Sequence, residues 1–131
     1  MCRWAPYLLK AGYALLLPEY RGGCGRGDEF ARYADNVGAV DHDDVIAQTQ
    51  AAIEKGWADK DRLIVGGWSQ GGFHTFLASV KNGKHGLGWE FRAAISGAGV
   101  ADWVTMTFTS DLGAWEASLI AGELADLHPP G

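Results

Sequence analysis

One ten-residue stretch constrains this chain more than any other: Leu63-Ile64-Val65-Gly66-Gly67-Trp68-Ser69-Gln70-Gly71-Gly72. It opens on an apolar run suited to a buried strand and continues into Phe73, Phe76, Leu77 and Val80, spaced i, i+3, i+4, i+7 as on one face of a helix. Between the two lies Gly-x-Ser-x-Gly. The pattern is short and occurs by chance, but a strand before it and a helix after it are what a nucleophile in a sharp turn requires. Glycine at 67 and 71 lets strand and helix approach without side-chain clash. The Ser69 hydroxyl then projects at the carboxyl end of the sheet, where α/β proteins keep their sites. The Gln70 backbone N–H, on the residue after the serine, is placed to donate to a developing oxyanion. The competing reading makes Ser69 a plain helix N-cap. A plain cap does not need glycine two residues to either side.

Around this stretch the chain alternates. Tyr7 to Lys10 reads as the end of a short helix, stopped by Gly12. Tyr13-Ala14-Leu15-Leu16-Leu17, ended by Pro18, is a continuous apolar run of the kind found in strands buried on both faces. A glycine-rich loop follows from about Glu19 to Gly27. A helix is predicted from about Gly38 to Lys55, with Val45, Ile46, Thr49, Ala52 and Ile53 as its apolar stripe. Asn82-Gly83 ends the helix after Ser69. Phe91 to Ser96 reads as a third strand, followed by Gly97-Ala98-Gly99. Residues 102 to 127 read as helical in pieces, ended by Pro129-Pro130-Gly131. This order implies an α/β fold, a parallel sheet with helices on both faces and right-handed crossovers. Three strands make a small sheet for such a fold, so further strands are expected outside this chain.

Composition narrows the function classes. A chain of 131 residues with 47% hydrophobic residues can form one domain with a real core. Net charge is −5 and no basic stripe appears, which argues against a nucleic-acid partner. No apolar run approaches the ~20 residues of a membrane helix. Met1-Cys2-Arg3-Trp4-Ala5-Pro6 has no apolar segment behind its single Arg, so it does not read as a secretory signal, and the lean is cytoplasmic. Cys2 and Cys24 lack the spacing of a disulfide framework or zinc site. Gly25-Arg26-Gly27 lacks the spacing of a phosphate loop. His42 among Asp41, Asp43 and Asp44 could be taken for a metal cluster. The helix dipole favours a solvated, acid-rich helix N-terminus instead. No metal or other cofactor is expected.

Three blocks of residues now suggest a family. Pro18-Glu19-Tyr20-Arg21-Gly22-Gly23-Cys24-Gly25-Arg26-Gly27 resembles the arginine–glycine loop of the prolyl oligopeptidase family. Residues Asp59 to Phe73 resemble its nucleophile segment. Ile95-Ser96-Gly97-Ala98-Gly99-Val100-Ala101-Asp102-Trp103 is similar to the segment after its next strand. The resemblance covers nearly the whole chain and is closest to the acylaminoacyl-peptidase and dipeptidyl-peptidase branch. Gln70 stands where many relatives carry Tyr, and Gly23 where many carry Ser. The resemblance implies a serine peptidase acting on short peptides through an α/β-hydrolase catalytic domain, usually with a β-propeller before it. It implies Ser69 as nucleophile and the Gln70 N–H as oxyanion donor. The triad order of that fold is Ser, Asp, His, which places the Asp and His beyond Gly131. Residues 1–131 are thus expected to be a partial α/β-hydrolase domain, lacking N-terminal strands and the C-terminal Asp/His part.

Within the chain, no histidine is suited to act as base. His74 lies five residues after Ser69 on the helix from which the serine points away. His85 falls in a loop at the other end of the sheet, and nothing orients His128. A base must come within ~3 Å of the hydroxyl. Arg21 could clamp a substrate carboxylate with its guanidinium, although a structural tie is the more natural role. Trp103, Phe108 and Trp115 either line an apolar substrate pocket or pack as core, with core preferred. Two other functions remain open: an esterase or other acyl hydrolase, since the turn does not separate amide from ester cleavage, and a non-catalytic truncated product.

Overall fold

The computed structural model describes residues 4–31 and 37–119. Its elements, in chain order, are α1 (Ala5–Lys10), α2 (Asp28–Ala31), α3 (Val40–Glu54), β1 (Ile64–Trp68), α4 (Gln70–Val80), β2 (Ala93–Gly97), α5 (Trp103–Thr109) and α6 (Gly113–Leu119). β1 and β2 pair in parallel, with Gly66 opposite Ile95, Gly67 opposite Ser96 and Trp68 opposite Gly97. A parallel pair needs a crossover, and α4 supplies it, packed on both strands. α4 covers the face that carries Val65, Gly67 and Ser96. The opposite face carries Ile64, Trp68 and Ile95, all exposed. There a Cβ added at Gly66 would stand 3.7 Å from the Trp4 ring at the N-cap of α1.

The first of the three expected strands, Tyr13 to Leu17, is not in the sheet. The segment has no regular secondary structure, and Leu17 is 73% exposed. An apolar run becomes a strand only when another strand takes up its N–H and C=O groups, and β1 and β2 pair only with each other among the described residues. Past Pro18 the chain is lashed to α3 instead. Glu19 N–H donates to Gln48 Oε1 at 3.1 Å, and Gln48 Nε2 donates to Glu19 O at 2.6 Å.

Of the expected stripe, helix α3 buries Val45, Ile46, Thr49 and Ala52, and Ile53 is partly buried. Its first turn departs from the solvated N-terminus read from the sequence: Asp41 is 1% exposed and His42 4%. Gly38, with φ +83, turns the chain so that its own N–H donates to Asp41 Oδ2 at 3.0 Å, and His42 N–H donates to Oδ1 at 2.8 Å. Those bonds offset part of the cost of burying a carboxylate.

On α4 the inward residues are Gly72, His74, Thr75 and Ala78, while Phe76 and Val80 of the expected apolar stripe are exposed. The helix approaches the sheet so closely that only small side chains fit beneath it. A Cβ at Gly72 would lie 2.5 Å from Gly99 Cα. A separate hydrophobic cluster, Ile46, Leu63 and Trp89 with Ile53, Ala58 and Phe91 against it, joins α3 to the strand starts. Trp89 Nε1–H donates to Gln50 Oε1 at 2.7 Å. Asn82 holds the approach to β2 through both backbone groups of Phe91, each at 2.9 Å.

Asp102 caps α5 by accepting from Val104 N at 2.9 Å and Thr105 N at 3.1 Å. α5 and α6 confirm that the region after 102 is helical in pieces as far as 119. The expected helix end near 127, Cys2 and His128 lie outside the described residues.

Candidate active site

The site is built where β1 hands over to α4. Ser69 has φ 56 and ψ −114, a conformation that L-residues other than Gly rarely adopt. Two backbone bonds fix it: Ser69 N–H donates to Gly97 O at 2.9 Å, and Ser69 O accepts from Phe73 N–H at 3.0 Å. Its side chain makes no capping hydrogen bond, and the residue is exposed. The plain-cap reading therefore fails, because a cap must turn its oxygen onto the helix N–H groups. The hydroxyl is instead presented at the carboxyl ends of β1 and β2. Gln70 opens α4 directly after it, at the positive end of the helix dipole.

The glycines around the bend are not equivalent. A Cβ at Gly67 would run into the backbone of Gly71, so position 67 must be bare. A Cβ at Gly71 meets nothing within 4 Å among the described residues. The sequence reading asked for glycine at both positions. The geometry requires it at 67, because that Cβ direction points at α4, whereas the Cβ direction of Gly71 points into open space.

A second bend faces the first. β2 ends in Gly97-Ala98-Gly99, with Ala98 at φ 45, so adjacent parallel strands both run into a left-handed non-glycine residue. Gly97 lies under the Trp68 indole, where a Cβ would sit 2.5 Å from Cε3. Ser96 Oγ–H donates to Gly72 O at 3.1 Å. Sequence reasoning gave no role to Ser96 or Ala98. The glycine cluster at 97 and 99 was the available signal, since paired glycines at a strand end mark close backbone approach.

The histidines are placed as follows. His74 is 6% exposed, with its ring against Tyr20 at 4.7 Å and Phe73 at 5.7 Å, and its Nε2 lies 3.4 Å from Asp41 Oδ2. Burial pushes its pKa below the ordinary histidine value, against the opposing pull of Asp41. His42 is pushed down as well, first by burial and then by Lys81 and His74. Burial, with Asp41 next, pushes the Tyr20 phenol up. His85 packs against Trp89 with ring centroids 4.1 Å apart and the rings tilted by 40°, beside the start of β2.

Arg21 turns its guanidinium to α3. Nε donates to Asp44 Oδ2 at 2.8 Å and Nη2 to Oδ1 at 2.7 Å, and Arg21 N–H adds a bond to Oδ2 at 2.9 Å. This bidentate grip holds the Asp44 carboxyl below its usual pKa. Trp103 packs edge-on against Phe73 at 5.5 Å, whereas Phe108 and Trp115 are exposed. Among the described residues no group of three or more His, Cys, Asp or Glu is disposed to hold a metal, and no helix is long and apolar enough to cross a membrane.

Comparison with known proteins identifies a family. The family model described as the prolyl oligopeptidase family, Peptidase S9, matches residues 1–124. Dipeptidyl peptidase 8 of Mus musculus is 31% identical over 99 residues, 74% of this chain and 10% of that protein. Acylamino-acid-releasing enzyme 1 of Oryza sativa subsp. japonica is 33% identical over 111 residues, 83% of this chain and 14% of that protein. The uncharacterized peptidase YuxL of Bacillus subtilis (strain 168) is 33% identical over 109 residues, 81% of this chain and 16% of that protein. The chain thus spans only a small part of the length of these relatives. The match of the family model along almost the full chain places this protein in the prolyl oligopeptidase family, with a partial α/β-hydrolase fold.

Proposed function

We propose that Ser69 is the nucleophile of a serine peptidase that cleaves peptide bonds of short peptides, working within a complete catalytic domain of which residues 1–131 form an interior part. One observation carries the reading: an exposed, uncapped serine held at φ 56, ψ −114 at the end of β1. In this reading the Ser69 hydroxyl attacks the peptide carbonyl carbon while a base takes its proton. The Gln70 N–H stabilises the oxyanion of the tetrahedral intermediate. The intermediate collapses to an ester on Ser69 as the protonated amine leaves, and water then releases the acid by the same route.

His74 does not suit the part of base, because its ring is enclosed by Tyr20, Phe73 and Asp41 on the α3 side of α4. In this reading the base and its carboxylate partner follow the order that the family resemblance implies, Ser, Asp, His, and lie beyond Gly131. Arg21 fits a loop tie better than a substrate clamp, since Asp44 already occupies its fork. The relatives' names favour peptides over esters as substrates.

A fluorophosphonate probe tests this. The protein expressed from its complete reading frame should label rapidly at Ser69, and Ser69→Ala should abolish labelling. The 131-residue chain alone should label more slowly by several orders of magnitude, as expected without base and acid. Rapid labelling of the short chain would defeat the assignment of the base to residues outside it. Hydrolysis of an aryl ester but of no peptide amide would favour the esterase reading.

A further inference from the structure

We propose that the Ser96 hydroxyl is a positioning group for the bend at Ser69, a role that rests on the acyl-transfer reading above. Ser96 lies opposite Gly67 in the parallel ladder, on the face covered by α4. Its hydroxyl donates across 24 residues of sequence to Gly72 O in the first turn of α4, at 3.1 Å. The notch it fills is narrow. A Cβ at Gly72 would lie 2.5 Å from Gly99 Cα, and one at Gly99 would lie 2.6 Å from Ser96 Oγ. Three backbone segments therefore converge on one hydroxyl: β2, the start of α4 and the bend after β2. The neighbouring carbonyl, Gly97 O, accepts the Ser69 N–H at 2.9 Å. The end of β2 thus grips the nucleophile's turn at two points, Ser69 N–H and Gly72 O.

A residue in a sparsely populated backbone region persists only when its surroundings over-determine it. The two grips supply that constraint from a strand that does not itself carry the serine. Without the hydroxyl, α4 keeps its own ladder and Ser69 N–H keeps its bond to Gly97 O, but the tie from Gly72 O to β2 is lost. The turn can then rotate away from the sheet and carry the Ser69 hydroxyl with it. Displacements of about 1 Å at a reacting group lower rates by up to about 100-fold.

The test compares Ser96→Ala with the matched pair Ser96→Val and Ser96→Thr, which share a branched shape and differ by the hydroxyl. All are expressed from the complete reading frame. Amide hydrogen exchange reads the brace without any chemistry. Exchange at Ser69 and Phe73 should quicken about tenfold in the Ala and Val variants relative to control amides in α3, and the Thr variant should restore it. On a short peptide amide, kcat should fall about tenfold with KM unchanged, in step with the rate of fluorophosphonate labelling. Exchange and labelling at wild-type rates in the Ala variant would overturn the proposal. So would a uniform rise in exchange along the whole chain, which marks the hydroxyl as a general stabiliser. If the wild type never labels while the exchange pattern is as expected, the brace stands and the peptidase reading fails.

Discussion

Ser69 holds a conformation that costs an ordinary residue on the order of 1–3 kcal/mol, and its neighbours are what keep it there. Gly67 is the residue that cannot change. A methyl group at 67 meets the Gly71 backbone, so Gly67→Ala should destabilise by about 1–3 kcal/mol and suppress Ser69 labelling. Gly71→Ala should be neutral or stabilising by up to about 1 kcal/mol, because its methyl enters open space and alanine favours the helix. Urea midpoints of the two variants check this, and equal losses would refute it. The residue-scale lesson of the sequence was therefore partly legible. The serine, its bend and the flanking glycines could be read from local spacing. Which glycine matters depends on Cβ directions, and spacing does not encode them. Ser96 was out of reach for a similar reason, since its partner Gly72 is met only once the parallel register is set.

At the scale of elements, reading succeeded where a pattern is local and failed where packing decides. The apolar stripe of α3 was legible because period and burial coincide over Val45, Ile46, Thr49 and Ala52. At the acidic start of α3, Asp43 is exposed as read, but Asp41 and His42 were misread because a dipole argument treats every charge near a helix end alike. It has no means of seeing that Gly38 would fold back to bond Asp41 and bury it against His74. The inward face of α4 was misread because close helix–sheet approach favours Gly72, Thr75 and Ala78 over the larger apolar residues. The junction of α3 and α4 has a consequence for pH. His42 and His74 both have folded-state pKa values below the ordinary 6.5. Between those lowered values and 6.5 the unfolded chain binds protons that the folded chain does not. Stability from this source is complete above about pH 6.5 and is lost as pH falls below it. The melting temperature should therefore decline from pH 7 to pH 5, and His74→Phe should flatten the slope. A melting temperature independent of pH across that interval would refute the reading.

On the scale of the whole molecule, the parallel sheet is open. Trp68 is 67% exposed, Ile64 and Ile95 share its face, and Leu16 and Leu17 add apolar surface elsewhere. Two paired strands also leave ladder groups on their outer edges without strand partners among the described residues. The 131-residue chain should self-associate at micromolar concentration, and Ile95→Lys, which places a charge on the open face, should reduce that association. Light scattering or size-exclusion chromatography checks it, and a monodisperse monomer would count against it. The α/β class was legible from alternating periods, but the number of paired strands was not. Whether Tyr13 to Leu17 becomes a strand is decided by what lies beside it, and no run of five residues contains that information. The same segment has a further consequence. Main chain that is unladdered, accessible and rich in Tyr and Leu is what a chymotrypsin-like cleft threads most readily, so a brief digest should nick the chain first between 13 and 18. A protein proposed to cut peptides would then present, in that run, a ready peptide to be cut.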